Sequence, residues 1–280
     1  MANINNCLLG LYEKALPAEL DWNKKLRLAK LAGYDFLEIS IDETDEKLAR
    51  LNWNKSERKN LLRDIMDTDV PILTMCLSGN RRYTIGSQNI QTRQTGIKLI
   101  KDAVDFSLDV GIRIVQLAGY DEYYNPSNLN TLKLFEDGLR EVADYAAARG
   151  IILALETMDT DLMNSTEKAM KFVNMIKSPF FQVYPDVGNI TASGIDVKAD
   201  LLSGEGHITC IHLKDTVEKV FRNIPYGEGI VDFVSIFEYL KKTNFKGLLV
   251  AEMWATDDYK DSIEYIRTAR EFLLAEYEKA

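Results

Sequence analysis

Four times along this chain a helix-period segment ends in glycine and an apolar run follows at once. The joins are Ala32-Gly33-Tyr34-Asp35-Phe36-Leu37-Glu38-Ile39, Val110-Gly111-Ile112-Arg113-Ile114-Val115-Gln116-Leu117, Arg149-Gly150-Ile151-Ile152-Leu153-Ala154-Leu155 and Lys246-Gly247-Leu248-Leu249-Val250-Ala251. Glycine suits the left-handed position that closes a helix, and a near-continuous apolar run reads as a parallel strand buried on both faces. Strands are predicted at Cys7–Leu11, Phe36–Ile41, Ile72–Leu77, Ile114–Leu117, Ile152–Leu155, Phe181–Tyr184, Ile208–Leu213 and Leu248–Ala251. Eight strands with helical segments between them are the count of an α/β chain closed into a (β/α)8 TIM barrel.

The segments between the strands fit that reading. Ala18–Leu31 carries Leu20, Leu28 and Leu31 on one stripe, and Thr92–Asp109 carries Ile97, Ile100, Val104 and Leu108. Leu129–Arg149 follows an Asn-Pro turn. Asn164-Ser165-Thr166-Glu167 has the form of a capping box for a helix running to Ile176. Asp232 is a candidate N-cap for Phe233–Lys242, and Lys260–Tyr277 reads as the last helix. No linker or low-complexity tract divides residues 1–280, and 46% hydrophobic residues suffice for one large core, so a single barrel domain is expected. The longest irregular segments follow strands three, four, seven and eight, where active-site loops belong.

A net charge of −9 argues against a general nucleic-acid or membrane surface. Cys7, Cys76 and Cys210 lie scattered in apolar runs, which suggests reduced thiols rather than a disulfide framework. No run reaches about 18 apolar residues, and no basic-then-apolar leader is visible, so a cytoplasmic protein is expected.

Chemistry concentrates at four strand ends. Ile208-Thr209-Cys210-Ile211-His212-Leu213-Lys214-Asp215 is apolar until it stops at polar residues, and His212 is one of only two histidines. Ile151 to Leu155 deliver Glu156, Phe180 to Pro185 deliver Asp186, and Leu248 to Ala251 deliver Glu252. These four residues follow one another at intervals of 30, 26 and 40, each about one βα unit. Consecutive parallel strands would therefore present Glu156, Asp186, His212 and Glu252 at one edge of the sheet. Three carboxylates and an imidazole suit a divalent cation such as Mn²⁺, Co²⁺, Zn²⁺ or Mg²⁺.

Such an ion can polarise a carbonyl and an adjacent hydroxyl, which acidifies the proton α to the carbonyl by stabilising the enediolate it leaves. Glu156 and Glu252 would approach from different sides of the barrel mouth. One could remove a proton from one face and the other return a proton to the opposite face. That chemistry is epimerisation or aldose–ketose isomerisation. It needs no redox cofactor, and no GxGxxG or P-loop run is present.

Leu155-Glu156-Thr157-Met158, Tyr184-Pro185-Asp186-Val187-Gly188-Asn189, Ile211-His212-Leu213-Lys214-Asp215 and Gly227-Glu228-Gly229-Ile230-Val231-Asp232-Phe233 resemble the sugar-epimerase and isomerase branch of the xylose-isomerase-like barrels. With Tyr12-Glu13-Lys14-Ala15-Leu16-Pro17, the resemblance narrows to the L-ribulose-5-phosphate (L-xylulose-5-phosphate) 3-epimerase family and runs from strand one to strand eight. It implies Glu156, Asp186, His212 and Glu252 as metal ligands and Glu156 and Glu252 as the acid/base pair. It also implies interconversion of L-ribulose 5-phosphate and L-xylulose 5-phosphate by two-base proton transfer through a metal-bound enediolate. Related epimerases of free ketoses have a histidine three residues after the aspartate, where this chain has Asn189.

The phosphorylated substrate calls for cations. Arg222 lies in the loop after strand seven, and Ser78-Gly79-Asn80-Arg81-Arg82 lies just after strand three, with Ser78 and Arg82 the candidates there. Guanidinium groups match phosphate through paired donors. Asn189 and Lys214 are further candidates for substrate contact. Asp215 reads as an acceptor that supports its neighbours, and His207 as structural. We expect a small phosphorylated ketopentose as partner, no nucleic acid or membrane, and a homo-oligomer, a dimer. The alternative on the same barrel is an epimerase or isomerase of another ketose, phosphorylated or free, or a cyclitol dehydratase. Abasic-site endonucleases share this barrel, but their multinuclear zinc sites draw on many histidines. A non-catalytic sugar-binding module would not need paired glutamates.

Overall fold

The computed structural model describes residues 4–255 and 262–280. Eight strands form one parallel sheet: β1 Leu9–Tyr12, β2 Phe36–Ser40, β3 Ile72–Leu77, β4 Ile114–Ala118, β5 Ile152–Glu156, β6 Phe181–Tyr184, β7 Cys210–Leu213 and β8 Leu248–Ala251. Their order is β6-β5-β4-β3-β2-β1-β8-β7. Between β6 and β7 the bridges Val183↔Ile208 and Asp186↔His212 bring the ends of the sheet together, making a nearly closed TIM barrel.

Around it lie α1 Trp22–Leu31, α2 Asp45–Ala49, α3 Lys55–Thr68, α4 Ile90–Val110, α5 Leu129–Ala147, α6 Thr166–Ile176, α7 Val187–Ala192, α8 Val197–Ser203, α9 Phe233–Lys242 and α10 Ser262–Lys279. Gly33, Gly111 and Gly150 take positive φ (+90°, +87° and +68°) behind α1, α4 and α5, as the joins predict. At the fourth join the left-handed residue is Asn244, φ +51°, not Gly247.

Several boundaries differ from those read in the sequence. β1 starts at Leu9, because Cys7 turns back to bridge Ile4. β7 starts at Cys210, and Ile208 makes only the single bridge to β6. Helix α1 starts at Trp22, where the Asp21 side chain accepts the Lys24 N–H. The cap of α6 is Ser165, not a capping box, and Asp200 accepts the N–H groups of Thr166 and Glu167 instead. Asp232 does cap α9, accepting from Ser235. The expected helix start at Lys260 lies outside the described residues.

Odd and even positions of the strands face opposite ways. Leu11, Leu37, Ile39, Met75, Leu77, Val115, Leu117, Leu153, Leu155 and Ile211 join the large apolar core. Tyr12, Phe36, Cys76, Ile114, Ala154, Tyr184, Cys210 and Val250 form a second cluster that fills the barrel's interior. Gly10 belongs to that interior layer: a Cβ on it would lie 2.4 Å from the Phe36 ring, so the bare backbone makes room for the aromatic. Above this floor the inward positions turn polar, through Glu38, Gln116, Glu156, Asp186, His212 and Glu252, all buried.

Candidate active site at the barrel mouth

Glu156 is the last residue of β5, and Glu252 directly follows β8. Asp186 follows β6 as the N-cap of α7, and His212 lies within β7. Each occupies an inward position two residues beyond a member of the interior floor: Ala154, Tyr184, Cys210 or Val250. One potential ligand atom from each of the four residues lies within 4.8 Å of the other three.

The hydrogen bonds fix which atoms converge. His212 Nδ1 lies 2.9 Å from Glu156 Oε1 and 3.6 Å from Glu252 Oε2, and its Nε2 lies 2.6 Å from Glu38 Oε1. Gln116 Nε2 donates to Glu156 Oε2. Asp186 Oδ1 accepts the Asn189 N–H at 3.0 Å, and its Oδ2 accepts from Lys214 Nζ at 2.5 Å. Lys214 also donates to Asn189 Oδ1 at 2.9 Å, while the Asn189 amide donates to the Thr157 carbonyl. Lys214 Nζ is 3.1 Å from Glu252 Oε2. That pair is close enough for Coulomb attraction but not aligned for a hydrogen bond, and Glu252 Oε2 is buried without a hydrogen-bond partner.

An orphaned carboxylate oxygen, two further carboxylates and an imidazole nitrogen all aimed at one point form a donor set that fits a divalent ion. The cluster also contains two basic groups, His212 and Lys214. Burial disfavours charge on His212, yet the Glu38 and Glu252 carboxylates and the hydrogen bonds to Glu156 and Glu38 raise its pKa well above the ordinary range. Burial likewise lowers Lys214, but Asp186 and Glu252 raise it further and keep it an ammonium. Burial and the Glu252 and Glu156 charges push Asp186 up, against the pull of Lys214. Glu252 goes the other way: Lys214 and His212 overcome its burial and hold it low. The two carboxylates share one ammonium.

A cavity of about 410 Å³ opens above the cluster, within the range of small-molecule sites. Glu156, Glu252, Asn189 and Lys214 form part of its floor, and Tyr12, Met158, Tyr120, Tyr123 and Trp254 part of its walls. Ser78, Lys14, Arg81, Lys219 and Arg222 also line it. Arg222 has no ion-pair partner among the described residues, whereas Lys14 pairs with Asp42 at 2.6 Å. Arg82 does not line this cavity. Its exposed guanidinium pairs with Asp45 and donates to the Glu43 carbonyl, and the adjacent Arg81 points inward instead, over the Tyr123 ring.

Asp215 points away from the cavity and holds the loop after β7. Its carboxylate accepts the N–H groups of Thr216, Gly227, Gly229 and Val231. A Cβ on Gly229 would lie 2.0 Å from Asp215 Oδ1, so the Gly-Glu-Gly segment is shaped around that carboxylate. His207 pairs with Gln182 outside the site. The three cysteines are buried and free. Reading the sequence missed Glu38, Gln116 and Lys14, and of the Arg81-Arg82 pair it favours Arg82. Glu38 and Gln116 stand at inward alternation positions two residues after Phe36 and Ile114, and that spacing was the available signal.

Residues 26–273 match the family model of the xylose isomerase-like TIM barrel. Over 272 residues, 97% of this chain and 95% of the relative, the chain is 45% identical to the L-ribulose-5-phosphate 3-epimerase UlaE of Escherichia coli (strain SE11). Among solved structures, an L-ribulose 3-epimerase superposes with a TM-score of 0.79 at 19% identity, covering 98% of this chain and 95% of that one. The IOLI protein with a binding zinc atom superposes with a TM-score of 0.79 at 20% identity, covering 97% and 98%. Among the described residues no helix is long and apolar enough to cross a membrane.

Proposed function

This chain belongs to the L-ribulose-5-phosphate 3-epimerase family of xylose isomerase-like TIM barrels and is an isomerase, and from that premise we propose that it interconverts L-ribulose 5-phosphate and L-xylulose 5-phosphate with the help of a divalent ion. The observation that carries the metal-assisted reading is the convergence of Glu156, Asp186, His212 and Glu252, of which Glu156 and Glu252 line the mouth cavity. When bound there, the ion supplies Lewis-acid polarisation of the ketose carbonyl and so acidifies the C3 proton.

The protein's own groups do the rest. Glu156 and Glu252 enter from β5 and β8, so a planar substrate lying over the cluster has one glutamate toward each face. Either takes the C3 proton from its own face, and the other returns a proton to the opposite face, inverting C3. Gln116 holds Glu156 by its second oxygen, which fixes the direction of the first. Lys214 lies against Glu252 and joins it to Asp186. Asn189 stands on the cavity floor between Lys214 and Thr157, within reach of a substrate hydroxyl. The phosphate is held by Arg222 and by Arg81, with Ser78 beside them, while Arg82 is committed to Asp45. A relative named for a 5-phosphate substrate and a zinc-binding neighbour of the same fold support this assignment. We read residues 1–280 as one barrel domain, acting in the cytoplasm as a homodimer with Mn²⁺, Co²⁺, Zn²⁺ or Mg²⁺.

The test is turnover before and after chelation. Metal-stripped protein is expected to lose epimerisation of the 5-phosphates and regain it with one of those ions, and to act more weakly on the unphosphorylated ketoses. Full activity in rigorously metal-free protein, or equal activity on both substrate classes, would contradict the reading.

A further inference from the structure

Glu38 is the central residue of β2 and is fully buried, and it does not line the mouth cavity. A buried carboxylate is costly unless its charge and lone pairs are met. Among the described residues, no lysine or arginine ion pair meets this one. Its Oε1 lies 2.6 Å from His212 Nε2, across the barrel and 174 residues away in sequence. Its Oε2 accepts the Tyr184 hydroxyl at 2.6 Å. Tyr184 also packs its ring edge-on against the His212 imidazole, with centroids 4.6 Å apart at 66°. The carboxylate, the phenol and the imidazole thus form a closed triangle directly beneath the ligand cluster.

We propose that Glu38 is a positioning residue that fixes the tautomer and orientation of His212 so that Nδ1 faces the ion. An imidazole that ligates through one nitrogen carries its proton on the other, and the acceptor at that second nitrogen decides which is which. Glu38 accepts from Nε2–H, which leaves Nδ1 to the cluster, beside Glu156 Oε1 and Glu252 Oε2. Tyr184 keeps the carboxylate from rotating away. A Leu or Met could fill the same volume in the barrel interior, so packing alone does not call for a charge at this position. This inference rests on the metal reading above and extends it to a residue that does not itself face the ion.

The test is zinc affinity together with the ¹⁵N spectrum of histidine-labelled, zinc-loaded protein, which contains only two histidines. In the parent protein, His212 should show a protonated, hydrogen-bonded Nε2 and a metal-bound Nδ1. Glu38→Leu should weaken zinc binding about 10–100-fold and shift the Nε2 signal. Glu38→Gln keeps an acceptor oxygen, so it should retain the tautomer with an intermediate loss of affinity. Tyr184→Phe should shift the same Nε2 signal. If Glu38→Leu does not fold, Glu38→Gln and Tyr184→Phe carry the comparison. Parent-like zinc affinity and an unchanged His212 spectrum in the folded variants would overturn the role of Glu38 alone. A parent protein that binds no divalent ion would overturn the metal reading, and this inference with it.

Discussion

Arg81 and Arg82 are adjacent and chemically identical, and the turn of chain between them sends them opposite ways. Arg81 ends the 3₁₀ segment Ser78–Arg81 that follows β3, and Arg82 is its C-cap; in such a segment each residue rotates about a third of a turn from the last. Arg81 therefore enters the cavity while Arg82 reaches Asp45 on the surface. A sequence shows that a basic pair follows a strand but not which member turns in, and it is Arg81, not the expected Arg82, that lines the wall. Arg222 lines the wall too, with no competing carboxylate among the described residues. Arg222→Ala is expected to raise KM for the 5-phosphate ketose far more than for its unphosphorylated analogue, by the roughly 1.5–3 kcal/mol of a hydrogen bond to a charged group. Arg82→Ala should leave both values near those of the parent. Steady-state kinetics on the two substrates checks this, and equal KM effects of Arg222→Ala on both would remove it from the phosphate site. The four strand-end residues Glu156, Asp186, His212 and Glu252 were legible because each breaks an apolar run with a charge or an imidazole. Glu38 was not, because a single carboxylate inside a strand gives no hint of the residue it meets across the barrel.

Among the elements, the opening of the barrel is tied together by one buried carboxylate. Glu13, in the short 3₁₀ segment after β1, accepts from Lys25 of α1 at 2.8 Å, from Arg50 beyond α2 at 2.8 and 2.9 Å, and from the Ser40 N–H of β2 at 2.9 Å. Lys47 of α2 lies 3.5 Å away. Burial alone would raise the Glu13 pKa, but Arg50, Lys47 and Lys25 together lower it to about 2. A carboxylate depressed in the folded state stabilises the fold fully above its unfolded pKa, near 4.5, and that contribution fades as pH falls toward 2. Glu13→Gln leaves three cations without their buried counter-charge and is expected to cost about 3–5 kcal/mol near neutral pH. It should also flatten the stability curve between pH 4.5 and 2. Urea unfolding across that pH range measures both effects, and an unchanged acid limb would show that Glu13 does not anchor these elements. The strands around this junction were legible from their apolar runs. Helices α2 and α3 were not assigned, because the segment from Asp45 to Thr68 is mostly polar and buries few residues. The start of β1 was misplaced by two residues because Cys7 is as apolar as the strand it precedes.

For the whole molecule, the barrel was the most legible level, since repeated glycine joins and eight apolar runs, each separated from the next by a helical segment, admit few other topologies. The strand order and the bridges between β6 and β7 follow that pattern. Barrel closure brings Glu156 and Glu252, nearly a hundred residues apart in sequence, to one site that lines the cavity. The central claim is that these two glutamates serve the two faces of one substrate carbon. It is tested most directly by following deuterium entry at C3 of L-ribulose 5-phosphate and L-xylulose 5-phosphate in D₂O. The parent enzyme should label both epimers. Metal-loaded Glu156→Gln and Glu252→Gln should each lose net epimerisation by at least about 10²-fold, the usual size of an acid–base contribution. Each should still exchange the C3 proton of one epimer, and the two variants should choose opposite epimers. Exchange of the same epimer by both variants, or epimerisation at the parent rate by either, would contradict the two-base account.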